Sequence, residues 1–427
     1  MKIPPTTSLR LSAALVVCSL VLNAVNAEGQ ETLRDAAAAT QASLASPASE
    51  KVLDTLDEND SEDVFLDEFM NYQMKLLKNW KLRVFTSGTW RYDSNVFLRN
   101  TNVQHDMMWS FSPGFQYSYG DEQAKLQVLA DYNAQFNFYD KFSQQNSLNH
   151  FLKLSLAYRM KKTSIKLSGL FHQVTGGDLD VGGQASRIQF SPQLQVMYEV
   201  SEKVRVGLNG QLQQTHYDAL LSSTTYRFGV FADYSFSPRF RLGLQFNEMI
   251  QEVDQSGGQS GQDYLARLEY EASKKLSLSG SAGVHILHTA SAGDATLPLG
   301  TIGFKYAASP KTTMYANLYA RAQNSPSLGG QYFQSEGVLM GIQQQLGTKI
   351  TVGADFGYDF SAYHSYLAGV SGTRKDNVRF ARPWLKYALQ RHLSLEIFYQ
   401  HTTNDSTGVG SQPFTRDLVG AGITGSW

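Results

Sequence analysis

The sequence contains little that would support disulfide, helical membrane-spanning or nucleic-acid chemistry. Its 427 residues include one cysteine, Cys18, so no disulfide framework forms within the chain. After residue 27 no apolar run is long enough for a spanning helix, and the mean hydropathy is −0.30. Charged residues make up only 18%, and a net charge of −1 gives no indication of nucleic-acid binding.

Residue patterns for catalysis are also missing. The nine histidines are scattered, and His285 and His288 have no further ligand at metal-binding spacing. No Ser–His–acid trio, HExxH motif or phosphate loop occurs. We therefore expect no enzyme, no cofactor and no metal site.

The first residues have the pattern of a secretory signal peptide. Lys2 and Arg10 precede the apolar segment 11–22, and a small-residue cleavage site ends at Ala27. Cys18 lies inside this segment, and a lipoprotein is disfavoured because Val17 stands where a small residue is needed. We predict that residues 1–27 are removed on export and that the mature chain has no cysteine.

Residues 28–77 differ from the rest of the chain. An acidic run from Asp54 to Asp63 lacks the glycine and ligand spacing of a calcium loop, which favours a solvated spacer. Apolar residues from Val64 to Leu77 then recur at helical spacing. This segment is predicted to be a periplasmic extension ending in a short amphipathic helix.

From Leu82 onward the hydrophobic period changes to two. In the segment 204–212, Val204, Val206 and Leu208 fall on one face, and Arg205 and Asn209 fall on the other. Such alternation gives a strand with one apolar and one polar face. The apolar face packs inward in a soluble sandwich and faces lipid in a membrane barrel.

The connections favour the membrane barrel. Short turns such as Ser237-Pro238-Arg239 alternate with longer Gly/Ser/Asp/Asn-rich connections such as 175–186, 254–262 and 361–376. Residues 78–427 are therefore predicted to form an all-β, antiparallel, up-and-down transmembrane barrel of about 18 strands with both termini in the periplasm. Its predicted strands are 82–92, 107–119, 124–138, 150–159, 164–174, 187–199, 204–214, 225–236, 240–251, 263–272, 276–287, 297–307, 313–323, 333–346, 349–360, 378–389, 393–402 and 416–427. A bulge or local opening is expected wherever proline interrupts a strand, at Pro113, Pro192, Pro298 and Pro383.

Aromatic residues recur just before the short turns. Amphipathic rings are favoured at the boundary between membrane and water, so these residues are predicted to mark one membrane interface. The series is Tyr119, Tyr158, Tyr198, Tyr234, Tyr270, Tyr306 and Tyr387, with Trp427 as its last member. A strand that ends in a terminal aromatic also resembles the signal read by the barrel assembly machinery of the outer membrane.

The polar face of the predicted strands carries most of the charge. Fourteen basic residues fall on it: Arg83, Arg91, Lys125, Lys153, Arg159, Lys166, Arg205, Arg227, Arg241, Arg267, Lys305, Arg321, Arg382 and Lys386. Nine acids accompany them: Asp93, Asp131, Glu199, Asp233, Glu269, Glu271, Asp355, Asp359 and Glu396. Most are expected to form ion pairs within the wall. The basic excess indicates a preference for anionic solutes. Replacing Arg227 and Arg267 together should reduce this preference, with partial loss if the two are mostly paired to Asp233 and Glu269.

Aromatic residues interrupt this polar face at Phe85, Phe231, Tyr319, Trp384 and Phe398. Such rings either stack on the apolar faces of sugar rings or simply narrow the lumen, and the sequence does not choose between the two. The candidate lumen-lining residues for solute binding are Arg91, Arg205, Arg227, Arg241, Arg267, Arg321, Arg382, Lys386, Tyr319, Trp384 and Phe398.

Two motifs resemble a known family. The segments Trp90-Arg-Tyr-Asp-Ser-Asn-Val-Phe-Leu98 and Phe111-Ser-Pro-Gly-Phe-Gln-Tyr117 are similar to the start of the β-barrel porin 2 family of outer-membrane proteins. The resemblance implies a Gram-negative outer-membrane barrel, in contact with lipid and lipopolysaccharide, that is often associated with exopolysaccharide export. Periplasmic components of a polysaccharide export system would then be partners.

Two functions remain open at this point. The first is a porin-like channel with a mildly basic lumen that passes a polar solute, such as a saccharide or an exported exopolysaccharide. The second is a plugged or closed barrel that acts as an adhesin or an assembly scaffold. Conductance of the purified protein in a planar bilayer separates them.

The extension gives a prediction of its own. If residues 28–77 plug the periplasmic mouth, where basic residues attract the acidic run, their deletion raises single-channel conductance and leaves folding unchanged. If they bind a periplasmic partner, the deletion leaves conductance unchanged and abolishes export. A segment that only tethers the chain changes neither quantity.

Overall fold

The structure is a computed structural model that describes residues 80–121, 124–179, 181–254, 257–289, 293–327, 330–365 and 374–427. The predicted signal peptide and the extension with its amphipathic helix lie outside these residues. Within them the helical content is one 3-10 turn, Ser143–Gln145, and no helix is long and apolar enough to cross a membrane.

Eighteen strands account for most of the described chain. The strands are β1 (Trp80–Asp93), β2 (Asp106–Tyr119), β3 (Leu126–Tyr139), β4 (Ser147–Arg159), β5 (Thr163–Asp178), β6 (Gly183–Glu199), β7 (Val204–Tyr217), β8 (Ser223–Ser237), β9 (Phe240–Val253), β10 (Gly257–Ser273), β11 (Leu276–Thr289), β12 (Gly293–Ser309), β13 (Thr312–Asn324), β14 (Gln331–Leu346), β15 (Ile350–Ser365), β16 (Lys375–Gln390), β17 (Leu393–Thr407) and β18 (Phe414–Ser426).

Each strand pairs antiparallel with the strands before and after it, and β1 also pairs with β18, so the sheet closes on itself. At the closure the main chains of Val84 and Trp427 exchange two hydrogen bonds, of 2.8 and 2.9 Å. The side chain of Arg416 on β18 binds both carboxylate oxygens of Asp93 on β1. The predicted closed barrel of eighteen antiparallel strands is confirmed.

The predicted strand ends need correction. Several strands continue farther than predicted, as in β5, which runs to Asp178, and β10, which begins at Gly257. The predicted connections 175–186 and 254–262 are therefore mostly strand. Their glycines and serines suggested loops, but ladder pairing with the neighbouring strand holds them extended.

The two ends of the barrel differ. At one end, here called the short-turn end, strands are joined by tight turns such as 238–239, 274–275 and 310–311. Trp80 and Trp427, where the described chain starts and stops, lie at this same end. The opposite end, the long-loop end, carries the connection 94–105 and other longer loops.

The outer face of the barrel is apolar. Leu208, Phe228, Leu244, Leu318 and Ile397 point outward, and each is more than half exposed. Contiguous apolar surface of this kind is unfavourable in water and requires a lipid environment. The apolar face of the alternating pattern is therefore the outer one, as expected for a membrane barrel rather than a sandwich.

Prolines interrupt the ladders as expected, and they do so as openings without a change of register. Ladder pairs between β2 and β3 are missing around Pro113, those between β6 and β7 around Pro192, and those between β16 and β17 around Pro383. Each ladder resumes in the same register beyond the gap. The missing proline N–H explains these local openings.

Inward aromatic rings lie over glycines of the adjacent strand. A Cβ added at Gly207 would overlap the ring of Phe231, and one added at Gly353 would overlap Trp384. The same relation joins Gly420 to Phe398, and Gly337 to Tyr319. The glycine gives the ring space to lie flat on the wall, so these rings thicken the wall instead of standing across the lumen.

Deletion of Trp427 should lower the amount of folded barrel in the outer membrane. Trp427 supplies the last two main-chain hydrogen bonds of the closure, and without them the first strand has a longer unpaired edge. Heat-modifiable mobility of the membrane fraction on denaturing gels measures the folded amount. Wild-type levels of folded protein would contradict this role.

The substitution Gly207→Ala should destabilise the barrel by about 1–3 kcal/mol, because the added methyl group displaces Phe231 from a packed position. Gly210→Ala on the same strand is the matched control, since its Cβ would meet Phe228 at an ordinary 3.7 Å. Urea unfolding in detergent, followed by tryptophan fluorescence, compares the two variants. Equal midpoints would argue against the packing role of Gly207.

Candidate functional site: the lumen

A large cavity runs through the barrel. Its volume is about 2090 Å³, and its wall includes turn residues such as Lys311 and Lys349 as well as long-loop residues such as Leu221 and Pro326. The cavity therefore reaches both ends. Because inward side chains alternate with lipid-facing ones along each strand, the cavity is lined by the polar half of the pattern.

The passage is off-centre at the long-loop end. There the connection 94–105 folds into the barrel, and Asn95, Val96 and Leu98 are fully buried. Leu98 packs with Leu179, Val378 and Phe414, which come from distant parts of the chain. This loop fills the side of the lumen near β1 and β18 and leaves the passage along β5 to β14.

Hydrogen bonds hold the loop in this position. The Asn95 side chain donates to the carbonyl oxygens of Arg99 at 2.7 Å and Thr415 at 2.9 Å, and accepts from the Arg99 main chain at 3.0 Å. Gln184 donates to the Val96 carbonyl at 2.6 Å. The motif that suggested the family thus forms an internal constriction, and Asp93 in the same motif binds Arg416.

Arginines and acids form a shared network on β7 to β10. Asp233 accepts from Arg205 Nε at 2.7 Å and from Arg267 Nε at 3.0 Å. Glu269 binds both Arg205 and Arg241. Two carboxylates thus hold three guanidinium groups along one side of the lumen, which leaves this side with more positive than negative charge.

Arg227 lies farther along the same wall. Its Nε is 3.0 Å from Asp263 Oδ2, and Asp263 also contacts His285 Nδ1 at 2.7 Å and accepts from Asn247 at 3.0 Å. Arg227 pairs with neither Asp233 nor Glu269, because the register places Asp263 next to it. Arg267 does pair with Asp233.

A third group lies near the closure of the barrel. Arg382 is within 3.3 Å of Asp355 and 2.6 Å of Glu396. Tyr315 donates to Asp355 at 2.6 Å. The guanidinium of Arg382 also covers the ring of Phe398 at 4.8 Å. These contacts place Arg382 in the wall and leave one edge of the group facing the cavity.

Basic side chains outnumber acids in the cavity wall. Among the described residues, fourteen arginines and lysines and six acids line it. Five of the cations form no ion pair with any described residue: Lys153, Lys305, Lys311, Lys349 and Arg391. Lys153 lies on β4 opposite Asp131. The other four lie at the short-turn end, three of them in turns. This mouth of the lumen therefore has an uncompensated positive charge, which attracts anions.

Amide side chains cover much of the remaining wall. Gln189, Gln193, Gln211, Gln213 and Gln251 line the passage along β6 to β9. Each amide both donates and accepts hydrogen bonds, so this surface suits solutes with several hydroxyl groups.

The predicted solute-binding residues fall in three places. Arg205, Arg227, Arg241, Arg267, Arg321, Arg382, Lys386, Tyr319 and Trp384 line the cavity. Phe398 lies beneath Arg382, in the same way that Phe231 lies beneath Arg267 at 4.2 Å. Arg91 is buried in the wall, where it donates to the sulfur of Met108 at 3.0 Å. Arginines cover these two rings and glycines back them, so Phe231 and Phe398 are wall elements and do not form a sugar-stacking track.

Several wall residues were not among the candidates. Asp263, His285 and Arg187 line the cavity, and Arg187 pairs with Asp178 at 2.9 Å. Asp263 and His285 have the inward parity of their strands, which a stricter use of the alternation would have shown. Asp178 lies beyond the predicted end of its strand, 164–174, and Arg187 is the first residue of the predicted strand 187–199.

The predicted interface aromatics share one end of the barrel. Tyr119, Tyr158, Tyr198, Tyr234, Tyr270, Tyr306, Tyr387 and Trp427 all lie next to the short turns. Tyr158, Tyr198, Tyr234 and Tyr270 are each more than 40% exposed on the outer face. Their role at the membrane boundary stays a prediction.

The closed register, the apolar outer face and the polar interior together define a transmembrane antiparallel β-barrel of eighteen strands. No group of three or more His, Cys, Asp or Glu residues in the described chain is arranged to hold a metal ion. No family model matches the sequence, and no curated protein matches it either.

Comparison with solved structures finds outer-membrane porins. OpdK of Pseudomonas aeruginosa, solved with vanillate, is 12% identical with a TM-score of 0.42, covering 81% of this chain and 99% of that chain. OccK2 (OpdF) of the same organism is 13% identical with a TM-score of 0.46, covering 82% and 98%. OccAB3 of Acinetobacter baumannii is 9% identical with a TM-score of 0.44, covering 82% and 100%. This likeness is one of general barrel shape.

Proposed function

We propose that this barrel is a passive outer-membrane channel for small polar anions that carry hydroxyl groups, with acidic saccharides as the best-fitting class. The observation that carries the proposal is the excess of cations in the cavity wall, with four unpaired among the described residues at one mouth. A carboxylate entering there is attracted before it reaches the paired arginines.

The network on β7 to β10 gives the solute a route onward. Asp233 and Glu269 are each shared by two arginines, so each arginine keeps donors that its carboxylate partner does not use. A solute carboxylate passes from one guanidinium to the next without removing any buried acid from its partner. Glutamine side chains beside this route replace water for the hydroxyl groups.

The inward loop favours small solutes. Because residues 94–105 fill one side of the lumen, a wide polymer has less room than the strand count alone suggests. Export of an exopolysaccharide through this lumen would require the chain to pass along β5 to β14 as a single strand. A sealed barrel serving as an adhesin or scaffold remains the second hypothesis, and absence of conductance would favour it.

Reversal potentials across a planar bilayer under a KCl gradient test the charge preference. The wild-type channel should prefer chloride, and the triple variant Lys311→Gln/Lys349→Gln/Arg391→Gln should lose at least about threefold of that preference. A unit charge at about 4 Å in water contributes on the order of 1 kcal/mol, so three charges suffice. The KCl concentration should stay at about 0.1 M, because the Debye length is then about 10 Å and the wall charges are not fully screened.

The matched control is Lys161→Gln/Lys162→Gln, which removes positive charge at the same end but outside the cavity wall. It should leave the reversal potential unchanged.

In liposome swelling, glucuronate should enter faster than glucose, and the triple variant should reduce this difference. Cation selectivity of the wild-type channel would overturn the proposal.

A further inference from the structure

One seam of the barrel wall is only partly joined. The ladder between β12 and β13 runs from Ser309 and Thr312 up to Gly300 and Ala320, where it stops. Beyond that point the segment 293–299 pairs only with β11, and the segment 321–324 pairs only with β14. β12 and β13 therefore share no ladder pairs over the half of the seam nearest the long-loop end.

The sequence explains why the ladder stops there. Pro298 has no N–H to donate, and it is the next outward position after Gly300. Gly300 itself has a φ of +153°, and Gly280 beside it on β11 has a φ of +151°, which only glycine adopts without strain. These residues bend the sheet at the point where β12 leaves its neighbour.

The end of β13 nearest the long loops bends toward the lumen. Asn324 accepts a hydrogen bond from Gln259 of β10 at 3.2 Å, although β11 and β12 lie between these strands in the sheet. Just beyond β13, the carbonyl of Pro326 accepts from the Leu221 main chain of the β7–β8 loop at 3.0 Å. β13 is thus held inward while β12 stays in the wall.

The cavity reaches this seam from inside. Its lining includes Leu299 and Gly300 on β12 and both Ala320 and Ala322 on β13. Ala320 and Ala322 lie at alternate positions from Leu318, so they belong to the same face of β13 as Leu318. Leu318 is more than half exposed on the lipid-facing side. The cavity therefore reaches the residues at which the β12–β13 ladder stops.

The lumen side of the seam is apolar, unlike most of the wall. Met249, Leu287, Leu297 and Tyr332 form a buried cluster, and Ala295 and Ala322 pack against it. Pro298 continues the apolar surface on the outside. A charged or fully hydroxylated solute has no partner on this surface, whereas an alkyl chain or an aromatic ring does.

The predicted interface residue Tyr306 gives the height of the seam relative to the membrane. A transmembrane strand needs about 9–11 residues, and counting from Tyr306 on β12 this reaches the region of Thr296. On that placement Pro298 and Gly300 lie inside the apolar band, in its half nearest the long-loop end, and the residues at which the ladder stops face lipid.

We propose that the β12–β13 seam is a lateral portal that connects the lumen with the adjacent lipid leaflet. It would pass the apolar part of an amphipathic organic acid whose carboxylate stays on the lumen arginines. The choice of an acid rests on the proposed anion channel, whereas the opening to lipid rests only on the ladder, the inward turn of β13 and the apolar cluster.

Quenching by lipids tests the opening itself. A fluorophore is attached to Leu297→Cys in a chain whose signal peptide, and with it Cys18, is absent, and the protein is placed in liposomes whose acyl chains carry nitroxide groups. Quenching should be at least half of that at the lipid-facing control Leu318→Cys. At the lumen control Gln193→Cys on β6 it should be near zero. Ala295→Cys is a second reporter in case Leu297→Cys does not fold. Quenching at Leu297→Cys and Ala295→Cys no greater than at Gln193→Cys overturns the portal.

A chemical crosslink across the β12–β13 seam tests the transport route. The pair Pro298→Cys/Ala322→Cys spans the gap in continued register, and Ile302→Cys/Leu318→Cys spans the joined part of the same seam. With a short bifunctional thiol reagent, the first pair should lose at least about tenfold of dodecanoate flux into liposomes and keep glucuronate flux. The second pair should keep both.

The outcomes separate the two proposals. Loss of dodecanoate flux alone supports the portal, and unchanged dodecanoate flux in the stapled Pro298→Cys/Ala322→Cys pair overturns it as a transport route. If wild type passes neither acid but Leu297→Cys is quenched, the anion channel fails and the opening to lipid stands.

Discussion

The pairing of β1 with β18 is the contact on which the barrel depends. In the hydrocarbon of a membrane an unpaired strand edge leaves a row of main-chain donors and acceptors without partners, so the sheet must close. Here the closure uses the Val84–Trp427 main-chain bonds at one end and the buried Asp93–Arg416 ion pair at the other. The first and last strands are therefore joined at both ends of the barrel. A closed sheet then requires the strands between them to keep a consistent register.

Closure also determines how the interior is built. A barrel of eighteen strands encloses a wide space. Three features determine the shape of this space. They are the aromatic rings that lie on glycines, the arginines that lie on rings or are shared between carboxylates, and the inward loop 94–105. Because the first two stay close to the wall, the loop determines where the passage is narrow. The Asn95 side chain anchors the same loop to Thr415 of β18, next to the β1–β18 closure, so the constriction depends on that closure.

The strand number, the facing of the charges and the closed fold were predictable from sequence, because alternation and turn spacing are local properties. Partners across strands were not, since a pair such as Arg227 and Asp263 depends on register between β8 and β10. The burial of Leu98 and the inward turn of β13 at Asn324 also escaped prediction. Both arise from contacts between segments far apart in the chain, and a polar or glycine-rich stretch has the same pattern whether it points into water or into the lumen.

Four of the five unpaired cations lie at one mouth, and this makes the electrostatic potential along the lumen axis unequal at its two ends. The long-loop mouth is lined mainly by amides and paired charges. In the proposed channel, small mobile anions would accumulate at the short-turn mouth, and the conductance would be larger under one polarity of voltage than under the other. A proposed anion channel of this shape would be an ionic rectifier, although nothing in it needs to move.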